Sequence, residues 1–144
     1  MMIEQRVEID APVNVVWEVY SDVVRWPEWA ASVRSLTYVL GAGVEVGARV
    51  RIDQPRLPVT VWEVTKVNPG RSWTWVARGP GATTTGVHEV RALDGERTEV
   101  VNRVIHAGPL GLLVGRLAAG LTRRYLAMEA HGLAARSLAV AGDR

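Results

Sequence analysis

Hydrophobic and polar positions alternate from the first residues. Ile3, Gln5, Val7 and Ile9 fall between Glu4, Arg6 and Glu8, a period of two that predicts a half-buried strand. Asp10 then stands ahead of Ala11 and Pro12, a capping group and a proline suited to the first helical turn, so a short helix is expected to run to about Tyr20. Ser21 and Asp22 restart a second short helix, which Trp26-Pro27 should end because proline pushes the residue before it out of the helical region. Strand patterns follow at 32–39, 49–53, 59–68, 72–78, 83–93 and 98–106. They are separated by turn chemistry at Gly41 to Gly47, Pro55 to Pro58, Asn68-Pro69-Gly70, Gly79-Pro80-Gly81 and Asp94-Gly95. After Gly108-Pro109, the residues Leu110, Val114, Leu117, Leu121, Met128 and Ala135 share one side of a helical period, predicting a long helix to about Leu138.

One strand, two short helices, six strands and a long helix make an α+β order. Short connections imply antiparallel neighbours, so the economical way to bury both apolar faces is a curved antiparallel seven-stranded sheet wrapped around the final helix. No linker or repeat divides the chain, and residues 1–144 are expected to form one domain.

The stretch "IDAPVNVVWEVYSDVVRWPEW" resembles the opening of the START/Bet v1-like superfamily, in the branch of polyketide cyclase/dehydrase and lipid-transport proteins. The later "NPGRSWTW", "HEV", "DGERTEVV" and "RYLAMEAHGLAARS" are similar to the same family and keep its order across essentially the whole chain. The resemblance implies a helix-grip fold with a deep hydrophobic cavity between sheet and helix, the two short helices forming part of its mouth. It implies no single activity, because one fold carries ligand carriers, receptors and cyclases.

The strand faces can also be read residue by residue. Glu89 and Arg91 share one face of the strand at 83–93, which turns His88 and Val90 inward. Glu99 and Arg103 claim the outer face of the last strand, leaving Val100, Asn102, Val104 and His106 inside. With Leu117, Leu121 and Met128 at the centre of the long helix's buried face, Arg124 and His131 lie near its edge. An unpartnered buried polar group costs about 1–3 kcal/mol, so this many inward polar groups either satisfy one another or face a pocket that is mostly apolar. Taken alone, His88 also fits a hydrogen-bonded core histidine, and Arg124 a side chain snorkelling to water.

The six tryptophans stand in a chain without phenylalanine, and Trp17, Trp26 and Trp29 fall within thirteen positions. Trp73 and Trp75 share a strand face beside Trp62 of the preceding strand, an indole cluster that fits ordinary core packing but is expected in the cavity wall, where a buried indole N–H finds a partner more easily than in a close-packed core. Trp26 and Trp29 bracket Pro27 and are expected to cover the cavity mouth, while Trp17 reads as ordinary packing. Gly111, Gly115 and Gly120 weaken the first half of the long helix by about 0.5–1 kcal/mol each. They permit either close approach of helix to sheet or a gate beside the mouth.

Composition narrows the chemistry. Without cysteine there is neither a disulfide framework nor a thiolate site, and the cytoplasm is the expected compartment. Charges at Glu4, Arg6 and Glu8 leave no room for an export signal. The apolar stretch 107–121 falls short of the roughly 18 residues a membrane span needs and is broken by Arg116. Net charge is +2, and Arg alternates with Asp and Glu along the strands as on a solvated face, so no nucleic-acid partner is expected. No GxSxG elbow, HExxH helix or phosphate loop is present, and neither a metal nor a cofactor is expected. The acid/base groups available to catalysis are His88, His106 and His131, with Arg124, Tyr38 and Tyr125 as polarisers, and no catalytic set is assigned among them.

These residues support three readings. The first is a carrier or binder of a hydrophobic small molecule, lipid-like or polycyclic, acting as a monomer or homodimer. Trp26, Trp29, Trp62, Trp73, Trp75, Leu117, Leu121 and Met128 would enclose the ligand, and His88, Asn102 and Arg124 would orient it. The second is a cyclase or dehydratase acting on a polyketide-like substrate in the same cavity. The third is a protein-interaction module docking through exposed Trp26 and Trp29.

Overall fold

A computed structural model describes residues 1–144. The chain runs β1 (Met2–Ile9), α1 (Val13–Ser21), a 3₁₀ helix (Val23–Glu28), β2 (Ser35–Leu40), β3 (Arg49–Asp53), β4 (Thr60–Asn68), β5 (Ser72–Gly79), β6 (Ala82–Ala92), β7 (Thr98–Ala107) and α2 (Gly111–Gly142). The seven strands form one antiparallel sheet in the order β1-β7-β6-β5-β4-β3-β2. The sheet curls around α2, giving the α+β helix-grip architecture expected from the element order.

The parity of the central strands is fixed on the solvent side. Arg103 bonds Glu4 at 2.7 Å and Glu89 at 2.6 Å, while Glu99 receives Arg6 at 3.3 Å and Arg91 at 3.0 Å, so one ionic ladder spans β1, β7 and β6. Because side chains alternate, Val90 of β6 and Val100 and Asn102 of β7, which stand next to those charges, are committed to the concave face, while Val101 shares the outer face with them.

Two local expectations need correction. Asp10 is exposed and does not cap α1; Pro12 occupies the N-cap in extended conformation, and its carbonyl accepts from Val15 and Val16. Pro27 does not end the second short helix, which continues to Glu28: Trp29 and Ala30 both donate to the Trp26 carbonyl, closing the turn without an N–H from the proline. The main core joins α1, the 3₁₀ helix and the concave face of the sheet, with Tyr20, Trp26, Val64 and Trp73 fully or almost fully buried.

Candidate functional site

Three successive cross-strand pairs of β6 and β7, His88 with Asn102, Gly86 with Val104 and Thr84 with His106, form the floor of a cavity of about 290 Å³ between sheet and α2. Trp75 of β5 lies across Gly86: a Cβ there would stand 2.8 Å from the indole Nε1. Trp62 of β4 continues the aromatic wall, its ring centroid 6.0 Å from that of Trp75. Val114, Ala118, Thr122, Tyr125, Leu126 and Glu129 of α2 form the roof.

The tryptophans close over a histidine. The His88 ring is stacked on Trp73 at 4.2 Å, meets Trp75 edge-on at 4.8 Å, and has Tyr20 at 5.5 Å and Trp26 at 5.9 Å. Its Nδ1–H donates to the Trp73 carbonyl at 3.3 Å, which fixes the neutral tautomer and leaves Nε2 as an acceptor. Burial in this apolar cage lowers its pKa from 6.5 to about 3. Trp26 is itself anchored, donating its indole N–H to the Tyr20 carbonyl at 2.8 Å.

Beside the cage lies a carboxyl group. Glu129 is buried on α2, and Oε1 accepts from Asn102 Nδ2 at 2.8 Å and from the Tyr20 hydroxyl at 3.4 Å. Burial raises its pKa from 4.5 to about 8, against the opposing pull of those two hydrogen bonds. Near neutral pH it is therefore mainly a carboxylic acid, with Oε2 carrying a proton that no protein group takes up. The same end of the cavity thus presents an acid O–H from Glu129 and a bare imidazole nitrogen from His88. At the other end Thr84 Oγ1 and His106 Nδ1 satisfy each other at 3.0 Å. No three His, Asp or Glu side chains gather into a metal-binding arrangement.

Of the residues singled out from sequence, Trp26, Trp62, Trp75, His88 and Asn102 line the cavity together. Trp73 is fully buried behind His88. Leu117, Leu121, Arg124 and Met128 do not line it, which corrects the phase assigned to the long helix. Leu117 is 79% exposed and Arg124 and His131 face solvent, whereas Gly111, Gly115, Ala119, Leu126, Glu129 and Leu133 face the sheet. The reason is close packing. Cβ atoms at Gly111 and Gly115 would meet His106 backbone and side-chain atoms at 3.1 and 3.2 Å, so small residues form the contact and large ones turn outward. The wrong phase also hid Glu129, although Gly111, Gly115 and Ala119 at intervals of four carry the correct one.

The mouth is also displaced from its expected position. Trp26 lies deep and buried, and Trp29 packs against α2 outside the cavity: a Cβ at Gly132 would come 1.9 Å from the Trp29 carbonyl oxygen. The exposed lining residues are Pro58 and Val114, so the opening lies between the β3–β4 loop and the first half of α2. Tyr125 bridges that opening by donating its hydroxyl to the Pro55 carbonyl, next to Arg56 at φ 66°. Tyr38, another candidate polariser, is half-buried away from the cavity, with burial pushing its hydroxyl up to about 12.

No curated protein matches the chain by sequence. Among solved structures, the Zhui aromatase/cyclase from Streptomyces sp. R1128 superposes with a TM-score of 0.77 at 17% identity, covering 95% of this chain and 93% of that one. A START superfamily protein from Mycobacterium smegmatis gives 0.75 at 17%, covering 96% and 98%. A Thermus thermophilus protein gives 0.76 at 19%, covering 97% and 99%. At these identities the likeness establishes the fold. A family profile described as polyketide cyclase / dehydrase and lipid transport matches residues 2–137, and with that match over nearly its whole length the chain belongs to this family.

Proposed function

We propose that the chain binds a small, mostly apolar, ring-bearing molecule with an oxygen function seated at the Glu129–His88–Asn102 end of the cavity. The observation that carries this reading is Glu129, a buried carboxyl at the edge of an apolar space with only Asn102 and the Tyr20 hydroxyl as partners, where burial favours its protonated form. Small-molecule pockets run from roughly 300 to 1,000 Å³, and about 290 Å³ lies at the bottom of that range. A compact polycyclic or polyketide-like ligand suits it better than a long-chain lipid. A ligand hydroxyl can accept from Glu129 and donate to His88 Nε2, and a carbonyl can accept from Glu129 alone, so the site selects oxygenated rings over bare ones.

The second reading, a cyclase or dehydratase, is favoured by the same carboxyl. An acid with a pKa of about 8 retains its proton at neutral pH and can give it to a departing hydroxyl, while the free Nε2 of His88 takes the proton lost from the neighbouring carbon as the double bond forms and water leaves. The aromatase/cyclase among the structural neighbours is consistent with this chemistry.

Binding of naphthalene and 2-naphthol, followed by tryptophan fluorescence, tests the first reading. The wild type should prefer 2-naphthol, and Glu129→Leu should abolish the preference while retaining naphthalene. Equal affinity of the wild type for the two probes would overturn it. Glu129→Gln separates the readings: its amide still donates, so a binder keeps its preference, whereas an enzyme keeps binding and loses turnover.

A further inference from the structure

Leu112, Leu113 and Leu117 at the start of α2 are 53%, 55% and 79% exposed, with Leu110 and Val114 also open to solvent. Residues 112, 113 and 114 are consecutive, so they point in three directions about 100° apart, and the tip of the helix is apolar on every free side. Across the mouth, Pro58 and Val59 of the β3–β4 loop are exposed as well.

The charges around this tip have one sign. Arg56 on the loop and Arg116, Arg123 and Arg124 on the helix join no ion pair; of the other twelve arginines, nine are paired and Arg49, Arg51 and Arg71 are not. No acidic residue occurs from Val100 to Met128 or from Gln54 to Thr60. An apolar helix tip followed along the same helix by unpaired arginines matches a lipid interface, where the apolar part enters the headgroup boundary and the cations behind it meet anionic lipid. A protein partner approaching from one direction would cover only part of such a tip, and the patch lacks the aromatic residues enriched at protein interfaces.

We propose that the mouth of the cavity docks on an anionic lipid bilayer through Leu112, Leu113 and Leu117, with Arg116, Arg123 and Arg124 on the headgroups. No helix of the chain is long and apolar enough to cross a membrane, so the contact is peripheral. It would place the opening between Pro58 and Val114 against the lipid phase. Docking of this kind depends on the outer surface alone and is independent of what the cavity holds.

Co-sedimentation of the full chain with vesicles of phosphatidylcholine, or of phosphatidylcholine mixed with phosphatidylglycerol, tests it. The wild type should bind the mixed vesicles more tightly and lose affinity as salt rises. Leu113→Ser combined with Leu117→Ser should abolish binding without changing the thermal melt, because both side chains are already in solvent. Arg116→Gln with Arg124→Gln should weaken binding to mixed vesicles on the order of tenfold. Absence of wild-type binding at low salt would overturn the proposal. Vesicle binding insensitive to the leucine changes would also overturn it, as would a solution dimer that dissociates in the leucine variant and ignores vesicles. In that last case the face belongs to a second copy of the chain.

Discussion

His88 lies flat on Trp73, with ring centroids 4.2 Å apart and planes within 9°, and donates Nδ1–H to the carbonyl of the same residue. One residue therefore fixes both the plane and the tautomer of the imidazole, leaving Nε2 as the atom available to a ligand. In ¹⁵N spectra His88 should remain the neutral Nδ1–H form throughout the range from pH 8 down to pH 4, because burial holds its pKa near 3. A titration centred near the ordinary 6.5 would show that water reaches the ring and that the cage does not close.

Glu129 and His88 should give the protein a stability plateau in mildly acid solution. Glu129 has a folded pKa of about 8 against 4.5 when unfolded, so the folded state holds the extra proton and stability declines as pH rises from 4.5 to 8. His88 has a folded pKa of about 3 against 6.5, so the unfolded state takes the proton and stability declines as pH falls from 6.5 to 3. Between 4.5 and 6.5 the two slopes offset one another. Denaturant unfolding of the wild type and Glu129→Gln at matched pH should show a difference that falls by a few kcal/mol from pH 4.5 to 8. A difference independent of pH would place Glu129 in water.

The glycines of α2 are not equivalent. A Cβ at Gly132 would come 1.9 Å from the Trp29 carbonyl oxygen, so Gly132→Ala must drive the helix from the 3₁₀ segment, with a cost of about 1–3 kcal/mol. Gly120 has nothing within 4 Å, and Gly120→Ala should instead stabilise the helix by about 0.5–1 kcal/mol. Guanidinium titrations of the two variants should move in opposite directions. Destabilisation by both would mean that the first half of α2 needs glycine flexibility rather than close packing.

The contrast between β6–β7 and α2 shows what was legible in the sequence. Glu89, Arg91, Glu99 and Arg103 pair with one another or with β1 on the outside, so strict alternation placed His88, Asn102 and His106 inside. The helix carries no comparable signal, because leucines occupy nearly every azimuth of its first half and its sheet-facing line consists of glycine and alanine. Reading bulk as burial therefore turned Leu117 inward and left Glu129 out of the candidate site. Glu129 broke the pattern because it satisfies local hydrogen bonding with Asn102 and Tyr20 at the expense of carboxylate solvation.

Tyr125 ties the roof to the rim through the Pro55 carbonyl. Tyr125→Phe preserves the ring and removes the tie, so it should lower stability by only about 0.5–1.5 kcal/mol while releasing residues 54–58. Amide exchange in that loop and the entry and exit rates of 2-naphthol should all increase. Unchanged exchange would mean that the backbone around Arg56 is held by its own conformation rather than by the helix.

Gly86 sets the width of the cavity. An added Cβ would lie 2.8 Å from Nε1 and 2.9 Å from Cδ1 of Trp75, and 3.4 Å from Cε1 of His88. The His88 ring is pinned by Trp73, whereas the indole of Trp75 borders open space, so Gly86→Ala should push Trp75 into the cavity. The expected result is weaker binding of naphthalene and 2-naphthol alike, with little loss of stability, since the displaced ring moves into a void instead of against packed atoms. Adding Trp75→Leu to Gly86→Ala removes the displaced indole and should restore binding of both probes. If Gly86→Ala leaves affinity unchanged, the ligand does not occupy the space beneath Trp75, and the site must be confined to the Tyr125 side of the cavity.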